Sequence, residues 1–541
     1  MHVCIRYNMK DMRRNISQRV ALDKRSAFFA AAATVLLSSG LLHAQVTTGN
    51  PSVPLPSAES VINRNTDNFS GSIPQGKATS ETIELTIEDA LDRGLKYNLG
   101  LYLSDQTTAE ARAARLESLS QILPNINGTF GEELQRINLK SLGVTFPGFP
   151  SSVGPFGLTA TQATGSWDAI NFSSIDKYRA AGQTVKAAQF NYHDARDTVV
   201  LAVGANYLLV IAQESRLEAA QAELNTAQAL YDLAKDQEAA GLAPNIDTLR
   251  ARVQLQAQQE TLIQVQNDLE KQRIALARVI GLPVRQKFRL VNRVPYHAVP
   301  EIDLTGAYEL ALATRPDYRA AQAQLHAAEL RRSAAWKGYL PSVGLSGSYG
   351  VLGYHPDAMA PNYSAAATLN IPIFQGGRVQ ADVKEAEAVL KERQAESDNL
   401  KARIEQDVED SLLDLKAAAQ QVEVAKIGLD FAQQALTQSQ DRFAAGVTNN
   451  VEVVQAQQQL ASANDQYITS LYAHNIAKVL LARSIGNAEQ MVKQYLAGGT
   501  ALPPSVVAPA PSPVVPPATQ PPPPAAPPAT NPPPTPNPQS K

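Results

Sequence analysis

The chain has 541 residues, of which 44% are hydrophobic and 18% are charged. This composition excludes a highly charged disordered chain, because such chains contain far fewer apolar residues. The formal net charge is −3, and no basic cluster lies beyond the N-terminus, so the charge pattern gives no reason to expect nucleic-acid binding.

The N-terminus has the pattern of a secretory signal peptide over residues 1–44. Seven basic residues are followed by an apolar run over 27–42 and the small residue Ala44, which predicts cleavage after Ala44. The alternative is a transmembrane anchor, but the run is shorter than the roughly 20 residues that span a bilayer. Gln45 follows, so no cysteine is present there to carry a lipid, and the only cysteine, Cys4, is removed with the peptide.

The rest of the chain contains two related halves. The segment 277–281 recurs as 482–486 at an offset of 205 residues, whereas Leu123-Pro124 recurs as Leu340-Pro341 at an offset of 217. The first copy therefore has twelve extra residues after Pro124. The predicted segments are a flexible leader (45–83), a first repeat (84–282), a linker (283–302), a second repeat (303–487), a C-terminal segment (488–502) and a proline-rich tail (503–541).

Each repeat is predicted to contain a short helix, an alternating segment and two long helices joined by a glycine-containing turn. Leu224 and Tyr231 belong to a heptad pattern that recurs as Leu429 and Leu436. The proline-free span after Pro372 favours an uninterrupted helical hairpin about 90 to 100 Å long. For the heptads alone, an antiparallel coiled-coil spacer is an alternative. The predicted helical hairpins cover about 173–281 and 377–486.

The alternating segments predict β-hairpins at about 125–170 and 341–374. In the second repeat, Val343, Leu345 and Tyr349 alternate with serine and glycine. Strands of about 10 residues fit a membrane barrel with lipid on one face, while a soluble hairpin packed on helices is the alternative. Four strands cannot close a barrel, and an open edge is forbidden in lipid. Strands in a membrane would therefore require oligomerisation, with three chains supplying twelve.

Three motifs occur in a specific order within the duplication: Leu-Thr-Ile-Glu-Asp-Ala-Leu at 85–91, Ile-Pro-Ile-Phe-Gln-Gly-Gly at 371–377 and Arg-Phe-Ala-Ala-Gly-Val at 442–447. From about Glu84 to Gly486 the chain resembles the TolC-like outer-membrane efflux proteins of Gram-negative bacteria. The resemblance implies an α+β membrane protein that forms a homotrimer, with a 12-stranded outer-membrane barrel and a periplasmic α-helical barrel. It also implies a periplasmic adaptor and an inner-membrane pump as partners, in efflux or type I secretion.

By resemblance, the two helix-to-helix turns meet the adaptor. Each contains a glycine able to adopt the left-handed cap conformation, although a purely structural turn needs such a glycine as well. The expected docking residues are Gly241, Leu242 and Ala243 in the first turn and Gly446, Val447 and Thr448 in the second.

The resemblance places a periplasmic gate just beyond these turns. In three chains, Asp247 and Glu452 would form a cation-selective ring. The alternative is that both are helix N-terminal charges favoured by the macrodipole. The best-known family member has tyrosine, arginine and aspartate at the positions of Phe443, Thr448 and Gln455, which puts the closing network in doubt more than the ring. The expected gate residues are Asp247, Arg250, Glu452, Gln455 and Phe443.

The motif over 371–377 is expected to form a strand-to-helix turn that includes Phe374. Pro372 cannot donate a ladder hydrogen bond and therefore belongs near a strand end, while Gly376 and Gly377 let the chain turn into the helix.

Nothing in the sequence favours an enzyme, a metal site or a bound cofactor. It contains no P-loop and no Gly-x-Ser-x-Gly motif, and its histidines are scattered. His474 falls in heptad phase and is expected to be a packed core residue. The tail is expected to be extended polyproline II, either as a plain disordered tail or as a partner-binding segment. The functional hypothesis is an outer-membrane exit duct, and the alternative is a soluble periplasmic coiled-coil scaffold.

Overall fold

The structure is a computed structural model that describes residues 67–143, 148, 150–292, 294, 296–297, 302–354 and 357–496. All of these residues belong to one compact unit, 52–541. The predicted signal peptide, the first part of the predicted leader and the proline-rich tail lie outside the described residues.

The first repeat begins with a short strand and two helices that precede a β-hairpin. Thr86 opens the first helix with a capping box, because its hydroxyl accepts from the Asp89 N–H while the Asp89 carboxylate accepts from the Thr86 N–H. Two longer helices follow the hairpin. The elements are β1 (Ile83–Leu85), α1 (Ile87–Tyr97), α2 (Leu99–Ser120), β2 (Asn125–Asn138), β3 (Ser152–Ile170), α3 (Phe172–Ala239) and α4 (Asn245–Val279).

The second repeat has the same order of helices and hairpin. A linker strand, β4 (Phe288–Leu290), precedes it and pairs in parallel with β1. The remaining elements are α5 (Leu304–Thr314), α6 (Pro316–Trp336), β5 (Ser342–Gly353), β6 (Ala360–Asn370), α7 (Arg378–Ala444), α8 (Asn450–Ile485) and the short α9 (Ala488–Leu496). Two units, each with one hairpin and long helices, confirm the predicted fold class at the level of a single chain.

The two hairpins join into one antiparallel sheet with the strand order β2-β3-β5-β6. Directly paired residues share a face, and the register separates polar from apolar rows. One row across the four strands is entirely polar: Asn127, Thr164, Ser348 and Ser364. The neighbouring row contains no charged or amide side chain: Gly128, Ala163, Tyr349 and Tyr363. Strands β2 and β6 form the two edges.

The helices lie side by side in the order of the strands to which they connect. Near the sheet, α3 packs between α2 and α6, and α6 also packs against α7. Towards the helix-to-helix turns, α3 packs between α4 and α8, and α8 packs against α7. The helix order is therefore α2-α3-α6-α7 near the sheet and α4-α3-α8-α7 near the turns.

Two details of the helices differ from the sequence prediction. Each hairpin is preceded by two helices rather than one short helix, because the backbone at Asn98 and Arg315 leaves the helical region, with ψ of 133° and 122°. Only α3 and α7, with 68 and 67 residues, reach about 100 Å. Helices α4 and α8 have only 35 and 36 residues and pack along the part of α3 and α7 near the turns. Helices α2 and α6 pack along the part of α3 and α7 near the sheet.

The main apolar core surrounds the middle of α3, where residues 198–210 are all buried. The Tyr207 hydroxyl donates to the Leu85 carbonyl at 3.2 Å and ties α3 to the β1–β4 pair. Helix α3 has a stretch long and apolar enough to cross a membrane, but 83% of that stretch is buried inside the protein. It is accordingly a core helix.

Helix α8 holds the end of the inter-repeat linker. Lys478 Nζ donates to the His297 carbonyl at 2.7 Å, and the His474 ring lies 4.9 Å from the Tyr296 ring. Burial lowers the pKa of Lys478 to about 8 and, together with the nearby Lys478 charge, lowers the pKa of His474 to about 4. His474 is fully buried, as its heptad phase predicts.

Candidate functional site: the helix tips and the sheet surface

The first helix-to-helix turn closes α3 with a Schellman motif. The Leu242 N–H donates to the Gln237 carbonyl at 2.8 Å, and the Gly241 N–H donates to the Glu238 carbonyl at 2.9 Å. Gly241 has φ of 71°, and Pro244 then leads into α4. Leu242 projects from this turn with 80% of its surface exposed.

The second turn closes α7 in the same way. The Val447 N–H donates to the Arg442 carbonyl at 2.9 Å, and the Gly446 N–H donates to the Phe443 carbonyl at 3.0 Å. Gly446 has φ of 72°, and the Asn449 side chain caps α8. Val447 is 70% exposed.

The two tips share one backbone motif but present different surfaces. A Cβ at Gly241 or Gly446 would meet no atom within 4 Å, so only the positive φ requires glycine there. Beside the exposed apolar residue, the first turn has Ala243 and the second has Thr448, whose hydroxyl hydrogen-bonds to Glu452. The first tip is therefore the more apolar of the two.

Asp247 lies in the first turn of α4 and is only 6% exposed. Arg250 Nη1 lies 3.3 Å from its carboxylate, which is therefore paired within the chain. The Asp247 carbonyl accepts from Asn450 Nδ2 at 3.0 Å. This bond brings the start of α4 against the start of α8, so the predicted gate segments of the two repeats are in contact.

Glu452 is the counterpart of Asp247 and is more accessible, with 39% of its side chain exposed. Its carboxylate accepts from the Thr448 hydroxyl and lies 3.4 Å from Arg442 Nε. Gln455 is exposed on the same helix. The second tip thus carries a polar group formed by Arg442, Thr448 and Glu452.

Phe443 lies inside its helical hairpin and not on the surface. It is 3% exposed and packs in a small apolar cluster with Leu436, Val453 and Leu460. Leu230 of α3 joins the same cluster, so Phe443 lies next to the contact between the two repeats.

Two polar residues that were not predicted from the sequence are buried near the tips. Asn450 is fully buried and Gln457 is 7% exposed, and the Asn450 Oδ1 and both amide atoms of Gln457 have no hydrogen-bond partner among the described residues. Gln457 lies four residues after Val453 and three before Leu460, which are heptad positions of the α8 seam. A glutamine in that phase was the signal that could have identified it.

The strand-to-helix turn lies between β6 and α7. Pro372 follows the end of β6 by two residues, and Gly376 and Gly377 have φ of 59° and 84° before α7 begins. Phe374 and Ile373 project from this turn, 88% and 93% exposed. The first repeat has only Asn171 at the equivalent place, so this turn is specific to the second repeat.

Large apolar side chains on one face of the sheet are strongly exposed, although Glu132 lies on the same face between Phe130 and Leu134. Ile126, Phe130 and Leu134 of β2 are 77%, 74% and 76% exposed, as their alternation predicts, and Tyr363 of β6 is 80% exposed. Exposed apolar side chains grouped on one face in this way mark a membrane or protein contact. Among the described residues, no group of three or more His, Cys, Asp or Glu side chains is placed to hold a metal ion.

Comparisons with known proteins agree with this geometry. A family profile described as outer membrane efflux protein matches residues 103–282 and 307–487, one segment in each repeat. The chain is 26% identical to the pyoverdine export outer membrane protein OpmQ of Pseudomonas aeruginosa, over 76% of this chain and 87% of OpmQ. It is 23% identical to the toluene efflux pump outer membrane protein TtgF of Pseudomonas putida, over 76% of this chain and 90% of TtgF.

A solved structure shows the same fold. The Campylobacter jejuni CmeC outer membrane channel superposes with a TM-score of 0.65 at 18% identity, covering 80% of this chain and 95% of CmeC. This family consists of outer-membrane transport proteins and not of enzymes. Membership in it excludes the alternative of a soluble periplasmic coiled-coil scaffold. With a profile match in both repeats and the family fold, the chain belongs to the outer membrane efflux protein family and is an outer-membrane channel of efflux pumps.

Proposed function

We propose that three copies of this chain assemble into one conduit, with a twelve-stranded barrel in the outer membrane and a helical tunnel in the periplasm. The observation that carries the proposal is a four-stranded sheet with one exposed apolar face and two open edges, β2 and β6. Unpaired backbone groups are too costly in lipid, so the edges must pair with other copies. Each copy supplies four strands, and three copies close the ring.

The tips of this conduit dock a periplasmic adaptor that connects it to an inner-membrane pump. Leu242 and Val447 support this role, because both are strongly exposed on turns closed by backbone hydrogen bonds. Within the tunnel mouth, Glu452 contributes a ring of three carboxylates, with Asp247 and Arg250 as a paired group beneath it. Phe443 packs the hairpin that carries the ring, and Gln455 extends its polar surface.

The sequence contains no P-loop, and in this proposal the inner-membrane pump supplies the energy for transport. The relatives are named for pyoverdine and for toluene, cargoes of different chemistry. The proposed conduit is lined by the polar face of the sheet and passes cargoes of different chemistry. The pump, and not the conduit, then selects the cargo. The chain reaches the outer membrane after loss of the signal peptide over 1–44, and it carries no N-terminal lipid because Gln45 follows the cleavage site.

The membrane assignment is tested by two adjacent substitutions on β6. Ala365 lies on the apolar face and Ser364 on the polar face, at mid-height of the strand. Arginine facing lipid near the bilayer midplane costs about 2–4 kcal/mol. Ala365→Arg should therefore deplete the trimer in outer-membrane fractions, while Ser364→Arg should assemble normally and reduce cation preference in planar bilayers. Equal assembly of both variants, or wild-type protein in the soluble periplasmic fraction, contradicts the proposal.

A further inference from the structure

A cavity of about 580 Å³ lies between the two repeats, where residues 289–292 and 294 of the inter-repeat linker meet α3, α4 and α8. Helices α3 and α4 belong to the first repeat and α8 to the second, so both repeats form the cavity wall. Small-molecule sites in proteins typically have volumes of about 300–1,000 Å³. None of the tip, gate or sheet residues described above lines this cavity.

Aliphatic side chains from all four segments line the cavity. Water gains few hydrogen bonds from such a wall, whereas an apolar group that leaves water to pack there is stabilised by the hydrophobic effect. The wall therefore favours an apolar ligand over trapped water. The aliphatic residues include Leu208 and Ile211 of α3, Leu269 of α4, Val294 of the linker, and Ile468 and Leu471 of α8.

Two polar side chains of α8 line the same cavity and are buried there. Tyr472 is 3% exposed and Asn475 is 4% exposed. Tyr472 Oη and Asn475 Oδ1 have no hydrogen-bond partner among the described residues. The two residues are three apart on one helix and therefore lie on the same face. Because an unpaired buried polar atom destabilises a protein, two of them in one cavity indicate a binding site for a polar group.

The charged side chains that line the cavity are paired within the described chain. Arg273 Nη2 lies 3.0 Å from Glu214 Oε1, and Arg289 Nη2 lies 2.6 Å from Glu84 Oε1. Glu218 has a partner as well. Arg273 Nε has none, so the α4 wall adds one donor that an oxygen atom suits. A ligand thus meets paired charges and unpaired hydrogen-bonding atoms, which favours a neutral polar group over an ionic one.

The protonation of Tyr472 fits this chemistry. Burial raises the pKa of Tyr472 to about 12, so its hydroxyl keeps its proton at neutral pH. Tyr472 Oη is therefore a donor, and Asn475 Oδ1 is an acceptor. A group that pairs with both must supply an oxygen acceptor and a hydrogen to donate. A hydroxyl supplies the two together, whereas a carboxylate has no hydrogen to donate and an ammonium has no acceptor.

We propose that this cavity binds a small neutral amphiphile, with an aliphatic body against the apolar wall and a hydroxyl group at Tyr472 and Asn475. The ligand hydroxyl accepts from Tyr472 Oη and donates to Asn475 Oδ1. The site is separate from the proposed conduit, because it lies within a single chain. Since both repeats form the wall, the bound amphiphile stabilises the contact between them.

Photoaffinity labelling tests the site in outer-membrane fractions that contain the full chain. The probe is 1-decanol with a diazirine in its alkyl chain, and mass spectrometry locates the labelled residues. Label is expected on residues of α3, α8 and the linker that line the cavity, and excess 1-decanol should suppress it. Nonyl methyl ether is the matched competitor. It has the same number of heavy atoms and can accept a hydrogen bond but not donate one, so it should compete about fivefold less well.

A substitution on α8 tests the hydroxyl contact. Tyr472→Phe removes a hydroxyl that has no partner among the described residues, so the variant should fold normally. Competition by 1-decanol should then weaken about fivefold. Tyr467→Phe is the control, because Tyr467 lies on the same helix and does not line the cavity. The control should bind as the wild type does.

Four results would overturn the proposal. The first is label on the exposed sheet face with none in the cavity. The second is equal competition by the alcohol and the ether, and the third is unchanged competition in Tyr472→Phe. The fourth is label in the cavity only after deletion of residues 503–541, which would identify the proline-rich tail as the occupant. A monomeric protein in the membrane would overturn the proposed conduit and leave this site standing, because one chain forms the cavity.

Discussion

Glu452 and Asp247 occupy equivalent positions in the two repeats, but their carboxylates have different surroundings. Asp247 is buried beside Arg250, whereas more than a third of the Glu452 side chain is exposed. Three charges about 8 Å from a passing ion in water amount to about 1.5 kcal/mol before screening. Glu452→Gln should therefore lower cation preference about threefold, and Asp247→Asn should lower it less. Reversal potentials in a salt gradient measure both, and a larger effect of Asp247→Asn would contradict the assignment.

Glu223 is a buried carboxylate at the contact between α3 and α8. Burial raises its pKa to about 7, with the Asp465 charge adding to the shift and Asn464 opposing it. In the unfolded chain the pKa is 4.5, so the folded protein holds an extra proton between these values. The contribution of Glu223 to stability is therefore fully present below pH 4.5 and is lost as the pH rises through about 7.

Replacing this carboxylate tests the sign of the effect. Glu223→Gln should stabilise the protein at pH 8 by up to about 3 kcal/mol and have much less effect at pH 5. Glu423→Gln, on an exposed part of α7, is the control. Thermal unfolding of the extracted protein at both pH values provides the measurement, and equal gains at pH 5 and pH 8 would rule out a buried carboxylate as the cause.

At the scale of elements, each long or returning helix ends at a glycine, but these glycines lie in different environments. Gly446 has open space around it, whereas a Cβ at Gly486 would lie 2.7 Å from the Arg315 backbone nitrogen. Gly446→Ala should cost about 1–2 kcal/mol through its positive φ alone. Gly486→Ala should cost more, because backbone atoms of Arg315 must also move.

A helical glycine provides the control for these substitutions. Gly204 lies within α3, where a Cβ would be 3.7 Å from Val479 Cγ1. Gly204→Ala should stabilise the protein by up to about 1 kcal/mol. Denaturant unfolding of the three variants gives the ranking, and a loss for Gly446→Ala as large as for Gly486→Ala would show that packing is not the difference between them.

The elements with local signals were predictable from sequence. Leu224 and Leu429 identified the seams by heptad phase, Val343 and Tyr349 identified a strand by alternation, and the tip glycines marked the turns. The interruption at Arg315 was not predicted, although Pro316 follows it and disfavours helical backbone at the residue before it. The Arg315 guanidinium also bridges Asp317 and Asp407 at 2.7 and 3.0 Å, and the contact with Asp407 of α7 has no local sequence signal.

At the scale of the molecule, the sequence predicted a repeated fold and an outer-membrane efflux channel, and both are confirmed. It did not predict that α2 and α6 pack along one part of the long helices α3 and α7 while α4 and α8 pack along the other part. That division depends on which helices become neighbours, and a heptad phase does not specify a neighbour. Phe443 lies one heptad after Leu436, and this phase predicts the burial that the structure shows, whereas its assignment to the gate came from the resemblance alone.

The unbroken course of α3 and α7 from the sheet to the tips has a consequence for how such a protein can change in length. Removing seven residues at matched places from α3, α4, α7 and α8 would shorten the tunnel by about 10 Å while every seam kept its phase. Removing three or four residues would rotate the buried seam residues of each helix away from their partners. The length of the proposed tunnel is therefore expected to differ among relatives in steps of seven residues per helix.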